Sequence, residues 1–460
     1  MTDRLGQLRT WLGRPVDGAS LVAFRILFGL VLALGLVRFL LTGWIRPQYV
    51  EPRFFFKYPL FDWVRPWSES GMYLHCAVLA VLALCLAAGA GYRVAALLFT
   101  LGFAWVQLID VTNYLNHYYL VVLLGTLLVF LPLNKLASVD AWLRPSLRRA
   151  TVPAWALYLL RFQVAVVYVN AGRAKLSADW LLHAQPLGIW MNARTGTPLI
   201  GSLLAEPWVP YVMSWSGFLF DTLIVVFLSW RRTRLLAYGL VVLFHSLTHV
   251  FFDIGLFPFL MTVGALVFFP PDWPRTLWAR LTRQAAPPVV PAPSSPSRLP
   301  AWGLGAIAAF CLVQLLLPLR HLAYDGNVLW TEQGMRWSWK VMVREKNGSV
   351  TYQVRSRDTG RVWRVNPAQY LTLRQMNEMS AQPDLILQLA HHIALDFQTR
   401  GVGPVEVRAE AWVSLNGRPP RLLIDPAFDL TSALDGVLPA EWILPGPDSP
   451  PLAVGRRTQP

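Results

Sequence analysis

The sequence predicts a polytopic α-helical membrane protein of about nine transmembrane helices, followed by a smaller exterior domain of α+β or mainly β structure. Three observations carry this prediction. Nine strongly apolar stretches occupy most of residues 18–320. The chain is 55% hydrophobic and only 15% charged, with 21 tryptophans and 24 phenylalanines, more apolar surface than a water-soluble core could hide. Beyond Leu319 the composition changes to mixed polarity with short alternating runs.

The apolar stretches lie near 18–41, 72–90, 94–110, 117–133, 153–171, 211–229, 235–252, 254–270 and 301–319, each close to the length a helix needs to cross a bilayer. The first starts too far from Met1, and is too long, for a cleavable signal, so it is expected to remain as an anchor. The formal charge of +15 is not gathered into a nucleic-acid stripe; the basic residues cluster in connections. Arg4, Arg9 and Arg14, then Arg93, Arg144 with Arg148 and Arg149, Arg231 with Arg232 and Arg234, and Arg275 with Arg280 and Arg283 all fall on one side if nine spans alternate. The bias of basic residues towards the cytoplasm then puts the N-terminus inside and the C-terminal domain outside an inner membrane, in the periplasm. Arg46, Arg53, Lys57 and Arg65 oppose this pattern, in a connection whose Phe54, Phe55, Phe56, Trp63 and Trp67 look interfacial.

Residues 1–283 are therefore read as an N-terminal transmembrane region and 284–300 as a proline-rich connection before the last span at 301–319. Residues 320–445 form the exterior domain, with strands expected at 338–344, 349–356, 360–364 and 404–414 and a helix at 371–395, and 446–460 is expected to be a flexible tail. Cys76, Cys85 and Cys311 all fall in apolar spans without a CxxC pair, which disfavours dithiol redox chemistry. His245 and His249 are one helical turn apart, but neither HExxH nor a second histidine cluster accompanies them, and no metal is predicted.

The residue with the most chemical content is Lys175, which ends the run Asn170-Ala171-Gly172-Arg173-Ala174-Lys175 at the edge of a span. Burial would favour its neutral amine, a proton acceptor; alternatively the side chain bends its charge into headgroups. His117, in Asn116-His117-Tyr118-Tyr119, starts the fourth stretch on the same expected side, as a proton-transfer group or a structural hydrogen-bond partner. Asp221 either orients a base inside the bundle or makes a structural contact. Gly255 and Pro258 shape a turn between membrane elements, and the neighbouring phenylalanines offer an apolar wall for a lipid-like tail.

The chain resembles the vitamin K-dependent gamma-carboxylase family, especially bacterial members with the horizontally transferred transmembrane region. The resemblance rests on an ordered set: Asn116-His117-Tyr118-Tyr119, Ala171 to Trp180 including Lys175 and Asp179, Phe244-His245, Ile254-Gly255-Leu256-Phe257-Pro258, His321-Leu322 and Trp330 to Trp339. It implies that reduced vitamin K, or a menaquinol-like quinol, is deprotonated by Lys175 and oxygenated, giving a base that removes a γ-proton from a protein glutamate, which then takes up carbon dioxide. By the same resemblance His117 supports the glutamate half of the reaction. Asn116, His245, His321 and Phe257 bind the cofactor, and Asp221, Asp179, Gly255, Pro258 and Trp339 orient or support the site. The implied partners are a glutamate-containing peptide or protein, membrane lipids and a quinone-reducing system, with oxygen and carbon dioxide as co-substrates and no nucleic acid. Arg173-Ala174-Lys175 stands where animal members carry two adjacent lysines. Two alternatives stay open: a quinol oxygenase or epoxidase without efficient peptide carboxylation, and a non-enzymatic membrane transport or binding protein.

Overall fold

The computed structural model describes residues 2–252, 254–283 and 298–454, so most of the proline-rich connection, the last residues of the expected tail and Asp253 lie outside the described residues. In chain order the bundle is built from α1 (Ala19–Leu41), α2 (Glu69–Ala88), α3 (Tyr92–Leu108), α4 (Asn116–Phe130), α5 (Ala154–Ala174), α6 (Val209–Ser229), α7 (Arg234–Phe251), α8 (Phe257–Ala265) and α9 (Ala301–Leu316). Among the described residues six helices, not nine, are long and apolar enough to cross a membrane: α1, α2, α5, α6, α7, and α9 with its extension to Ala323. The chain is an integral membrane protein by that measure.

The expectation of nine fails at α3, α4 and α8, which have 17, 15 and 9 residues. At about 1.5 Å per residue they fall short of a hydrocarbon layer of about 30 Å. For the last two, prolines that hydropathy does not weigh mark the ends. Pro132 follows the end of α4, Pro258 sits in the first turn of α8, and Pro270 and Pro271 close the 3-10 turn after it. Successive helices pack in order through α4, and α5 packs along α6. Arg25, fully buried in α1, donates to the carbonyls of Leu133 (2.5 Å) and Ala137 (2.6 Å) and so closes the loop that follows α4.

The C-terminal domain is α+β. Strands β1 (Lys346–Ser356), β2 (Val362–Val365), β3 (Val405–Leu415) and β4 (Arg421–Leu422) form one antiparallel sheet in the order β2-β1-β3-β4. The alternation of β3 buries Val405, Val407, Ala409, Ala411, Val413 and Leu415 on one face. Against that face packs a helix, α11 (Pro383–Thr399), through Leu385, Leu389 and Ile393. The single helix expected at 371–395 is two: α10 (Leu373–Met379), closed at its start by a capping box of Thr372 and Gln375, and α11, restarted by Pro383. The strand expected at 338–344 is absent. Trp339 and Met342 adopt φ of +57° and +52°, left-handed values that a strand cannot hold.

This domain docks on the loops at one end of the bundle. Gln375 donates to Asp110 Oδ2 (2.8 Å) and to the carbonyl of Phe54 (2.7 Å), and Gln388 exchanges two hydrogen bonds with the backbone of Lys57. Two of the four basic residues that disturbed the charge pattern, Lys57 and Arg46, have local partners here. Lys57 donates to the carbonyls of Val64 and Ile109, and Arg46 pairs with Glu69 at 2.8 Å and Glu51 at 3.4 Å. The start of the expected tail is held as well: Arg418 donates to the carbonyl of Ser449 and Gln185 to that of Leu452.

Candidate functional site

At the docked end of the bundle, α5 stops at Ala174 and Lys175 occupies its C-cap position. The approach of α5 to α6 depends on Gly172, where a Cβ would lie 2.7 Å from Thr222 Oγ1 and 3.0 Å from the Thr222 backbone nitrogen. That contact brings the adjoining Asp221 to Lys175. Nζ of Lys175 lies 2.7 Å from Asp221 Oδ2, both side chains buried, and 5.2 Å from the centroid of the Trp180 ring, with a longer contact to the carbonyl of Ala171. The sequence left the Lys175 side chain free to reach headgroups; here it points inward onto a carboxylate.

The pair sits in the wall of a cavity of about 100 Å³ whose other walls are overwhelmingly apolar, including Met213, Phe252, Phe257, Val341 and Met342. Across it, Tyr168 and His245 share a hydrogen bond of 3.0 Å between Oη and Nε2. His245 Nδ1 is buried without a partner. The cavity thus carries a Lys175–Asp221 pair and a Tyr168–His245 hydrogen bond on otherwise apolar walls.

Lys175, Asp221, His245 and Phe257 thus line one cavity. His117 does not: it is buried behind Phe257, whose ring centroid lies 6.2 Å from that of His117 and 6.3 Å from that of His245. Gly255 lies against His117 with φ of +57°, and a Cβ there would come within 3.3 Å of His117 Nε2. Pro258 is buried in the first turn of α8, next to Phe257. Asn116 opens α4, accepts from Tyr114 Oη at 3.1 Å and faces a second, polar cavity.

The remaining sequence candidates lie apart. His321 donates through Nδ1 to the carbonyl of Pro318, and its backbone rests against Gly334. Trp339 is fully buried, 5.0 Å from the ring of Tyr119. Asp179 accepts two hydrogen bonds of 2.7 Å from the Arg418 guanidinium and one from Asn416. Burial would raise its pKa, but these donors outweigh burial and hold the carboxyl below the usual carboxylate range. Among the described residues no group of three or more His, Cys, Asp or Glu could hold a metal ion, and His249 packs on Phe259.

Sequence reasoning missed Tyr168 and Arg418. Tyr168 precedes Lys175 by seven residues, two helical turns on the same face, a signal that was available. Arg418 reaches Asp179 across 239 positions, and no local pattern announces that.

Two family models match the chain. One described as HTTM domain matches residues 13–273, and one described as vitamin K-dependent gamma-carboxylase, lumenal domain, matches residues 300–449. No solved structure matches. The bundle that holds Lys175 and the α+β domain docked on it each fall within one of these matches, and the chain belongs to the vitamin K-dependent gamma-carboxylase family, with an HTTM domain as its membrane region.

Proposed function

We propose that the protein is a membrane γ-glutamyl carboxylase that couples oxygenation of reduced vitamin K, or a menaquinol-like quinol, to carboxylation of a glutamate in a peptide or protein. The observation that carries this reading is the buried Lys175–Asp221 pair lining an apolar cavity in a chain of this family. The quinol supplies, on reaction with oxygen, a base strong enough to remove a glutamate γ-proton, which no side chain here could do unaided.

The residues supply everything around that chemistry. Once its own proton has passed to Asp221 across their 2.7 Å contact, Lys175 receives the quinol hydroxyl proton on Nζ. Tyr168 fixes His245 through Nε2, leaving Nδ1 to meet the second oxygen of the ring. Phe257 and Met213 exclude water from the slot. His117 and Asn116 serve the glutamate side, His117 behind Phe257 and Asn116 in the polar cavity. The lipid-facing surface of the bundle accommodates the membrane, and a quinone-reducing system regenerates the quinol. The N-terminus is cytoplasmic and the docked C-terminal domain exterior; the charge pattern supports this, since the opposing Arg46 and Lys57 are engaged locally.

A second reading, quinol oxygenation without efficient peptide carboxylation, is favoured by the placement of His117 behind Phe257 and outside the cavity. Purified protein in detergent or lipid, given reduced vitamin K, oxygen, labelled carbon dioxide and a glutamate-containing peptide, separates the two. Label in the peptide together with quinone epoxide is expected. Epoxide alone selects the second reading, and neither product from folded, quinol-binding protein points to binding or transport.

A further inference from the structure

Two tryptophans in the wall of the Lys175 cavity, Trp180 and Trp190, are tied to the exterior domain by polar contacts to which the proposed chemistry gives no role. Trp190 donates through Nε1 to Glu345 Oε2 at 2.5 Å. Trp180 belongs to the short helix Ala178–Leu181, which begins three residues after Lys175. Adjacent residues on a helical turn point to different sides. Trp180 accordingly faces Lys175 and α6, while its neighbour Asp179 faces the exterior domain.

Both sides of this turn are fixed. Trp180 Nε1 donates to the carbonyl of Ser214 at 2.8 Å, Ser214 Oγ donates to the carbonyl of Trp180, and the ring centroid lies 5.2 Å from Lys175 Nζ. Asp179 receives Arg418 Nη1 on Oδ2 and Nη2 on Oδ1, each at 2.7 Å, and Asn416 Nδ2 on Oδ2 at 2.7 Å. A two-pronged, charge-assisted contact of this kind fixes orientation as well as distance. Its donors are fixed in turn. Arg418 and Asn416 are buried; Arg418 Nε donates to the carbonyl of Ser449, and Asn416 Oδ1 accepts from the backbone nitrogen of Glu345 at 2.9 Å.

Glu345 joins the two tryptophans. Its backbone nitrogen meets Asn416 and its carboxylate meets Trp190 on Oε2 and Asn347 Nδ2 on Oε1. One hydrogen-bonded chain thus runs from Asp179, beside Trp180, through Asn416 and Glu345 to Trp190, with Arg418 clamping its first member. It crosses between bundle and exterior domain twice, at Asp179 and at Trp190. The turn between β3 and β4 makes the first crossing possible: Asn416 and Gly417 hold φ of +53° and +76°, values suited to an Asn-Gly hairpin turn, and so present Asn416 and Arg418 together.

We propose that Arg418, Asn416 and Glu345 are positioning residues: through Asp179 and Trp190 they hold the tryptophan wall of the Lys175 cavity closed over the amine. The exterior domain then shapes the reaction cavity besides covering the end of the bundle. What fills the cavity rests on the carboxylase reading; the hold on its wall does not.

The test uses full-length protein in detergent and follows reductive methylation of lysine amines by mass spectrometry under native conditions, where labelling of a buried amine reports opening of its cover. Lys346, enclosed in the exterior domain 3.3 Å from Glu332, is the internal control for that domain's fold. Arg418→Met is expected to speed labelling of Lys175 roughly tenfold or more, the worth of a charge-assisted contact, with Lys346 unchanged. Asp179→Asn, which keeps the shape of the contact and removes its charge, is expected to act in the same direction and serves where Arg418→Met does not fold. Trp180→Ala should raise Lys175 labelling by itself, and adding Arg418→Met should then change it by less than about twofold, because the arginine acts through the wall that has been removed. Unchanged Lys175 labelling in both Arg418→Met and Asp179→Asn overturns the proposal. So do fully additive effects of Arg418→Met and Trp180→Ala, and so does equal exposure of Lys175 and Lys346, which would mean that the contact only supports folding. Labelling needs no turnover, so wild-type protein that forms neither epoxide nor carboxylated peptide would remove the carboxylase reading and leave this result standing.

Discussion

Lys175 in the membrane bundle and Lys346 in the C-terminal domain are both buried lysines paired with a carboxylate beneath a tryptophan ring. Nζ of Lys175 is 2.7 Å from Asp221 and 5.2 Å from the Trp180 centroid; Nζ of Lys346 is 3.3 Å from Glu332 and 5.6 Å from the Trp330 centroid. Their surroundings then diverge. Lys346 also donates to the Trp330 carbonyl, and its Glu332 is shared with Arg344, so its ammonium is enclosed by fixed partners. Lys175 and Asp221 face a cavity. Burial and pairing are therefore common to both lysines, and the open face of Lys175 is what separates them.

The largest expected effect breaks that comparison in the bundle. Lys175→Ala should lower both epoxide formation and peptide carboxylation by roughly 10²–10⁴-fold, the range for loss of a positioned proton acceptor. Lys346→Ala should leave both rates within a few-fold once the loss of folded protein is corrected for. Wild-type rates in folded Lys175→Ala would remove the lysine from the chemistry and make the two residues equivalent.

The next effect is thermodynamic and belongs to Lys346. Burial, only partly opposed by Glu332, pushes its ammonium down to about 8 from an ordinary 10.5. A lysine whose folded value lies below its unfolded one costs stability wherever both states are protonated. The cost is full below about pH 8 and fades as the pH rises towards the unfolded value. The difference in unfolding free energy between wild type and Lys346→Met should therefore shift in favour of wild type across that window, by up to about 3 kcal/mol. Unfolding of the purified proteins at several pH values measures it; a flat difference would mean that folding leaves the ionisation of Lys346 unchanged.

Asp221→Asn comes third. It keeps the shape of the Lys175 contact and removes the charge, and the expected loss is roughly ten- to hundredfold in both products, the worth of one charge-assisted hydrogen bond. Equal loss of both products would tie Asp221 to the quinol half of the reaction, and loss of carboxylation alone would move it to the glutamate half.

How much of this was legible varies with the range of the signal. Lys175 at a helix end and Asp221 inside an apolar run could each be singled out from local context, but their pairing spans 46 positions and depends on Gly172 letting α5 and α6 approach. The helical bundle was visible in hydropathy, whereas the number of membrane-length helices was not, because Pro132, Pro258 and Pro270 mark boundaries that hydropathy averages over. The sheet was readable where strands alternate, as in β3. It was misread at 338–344, where apolar side chains alternate on a backbone held left-handed at Trp339 and Met342 by the surrounding contacts. That misread segment supplies Lys340 and Met342, so the local rule failed where the chain builds walls of both cavities.

The smallest expected effect probes how His117 is held relative to the cavity. Gly255 sits at φ of +57°, and a methyl group there would be 3.3 Å from His117 Nε2. Gly255→Ala should cost about 1–2 kcal/mol for the left-handed conformation alone. It should also press on the imidazole, which is already confined between Tyr118 and Phe257. If His117 serves the glutamate half from behind Phe257, the variant should lower carboxylation several-fold while epoxide formation changes less, so the ratio of carboxylated product to epoxide falls. If His117 is only a packing residue, thermal stability drops and the ratio stays at the wild-type value, because the Lys175 cavity is lined without either Gly255 or His117.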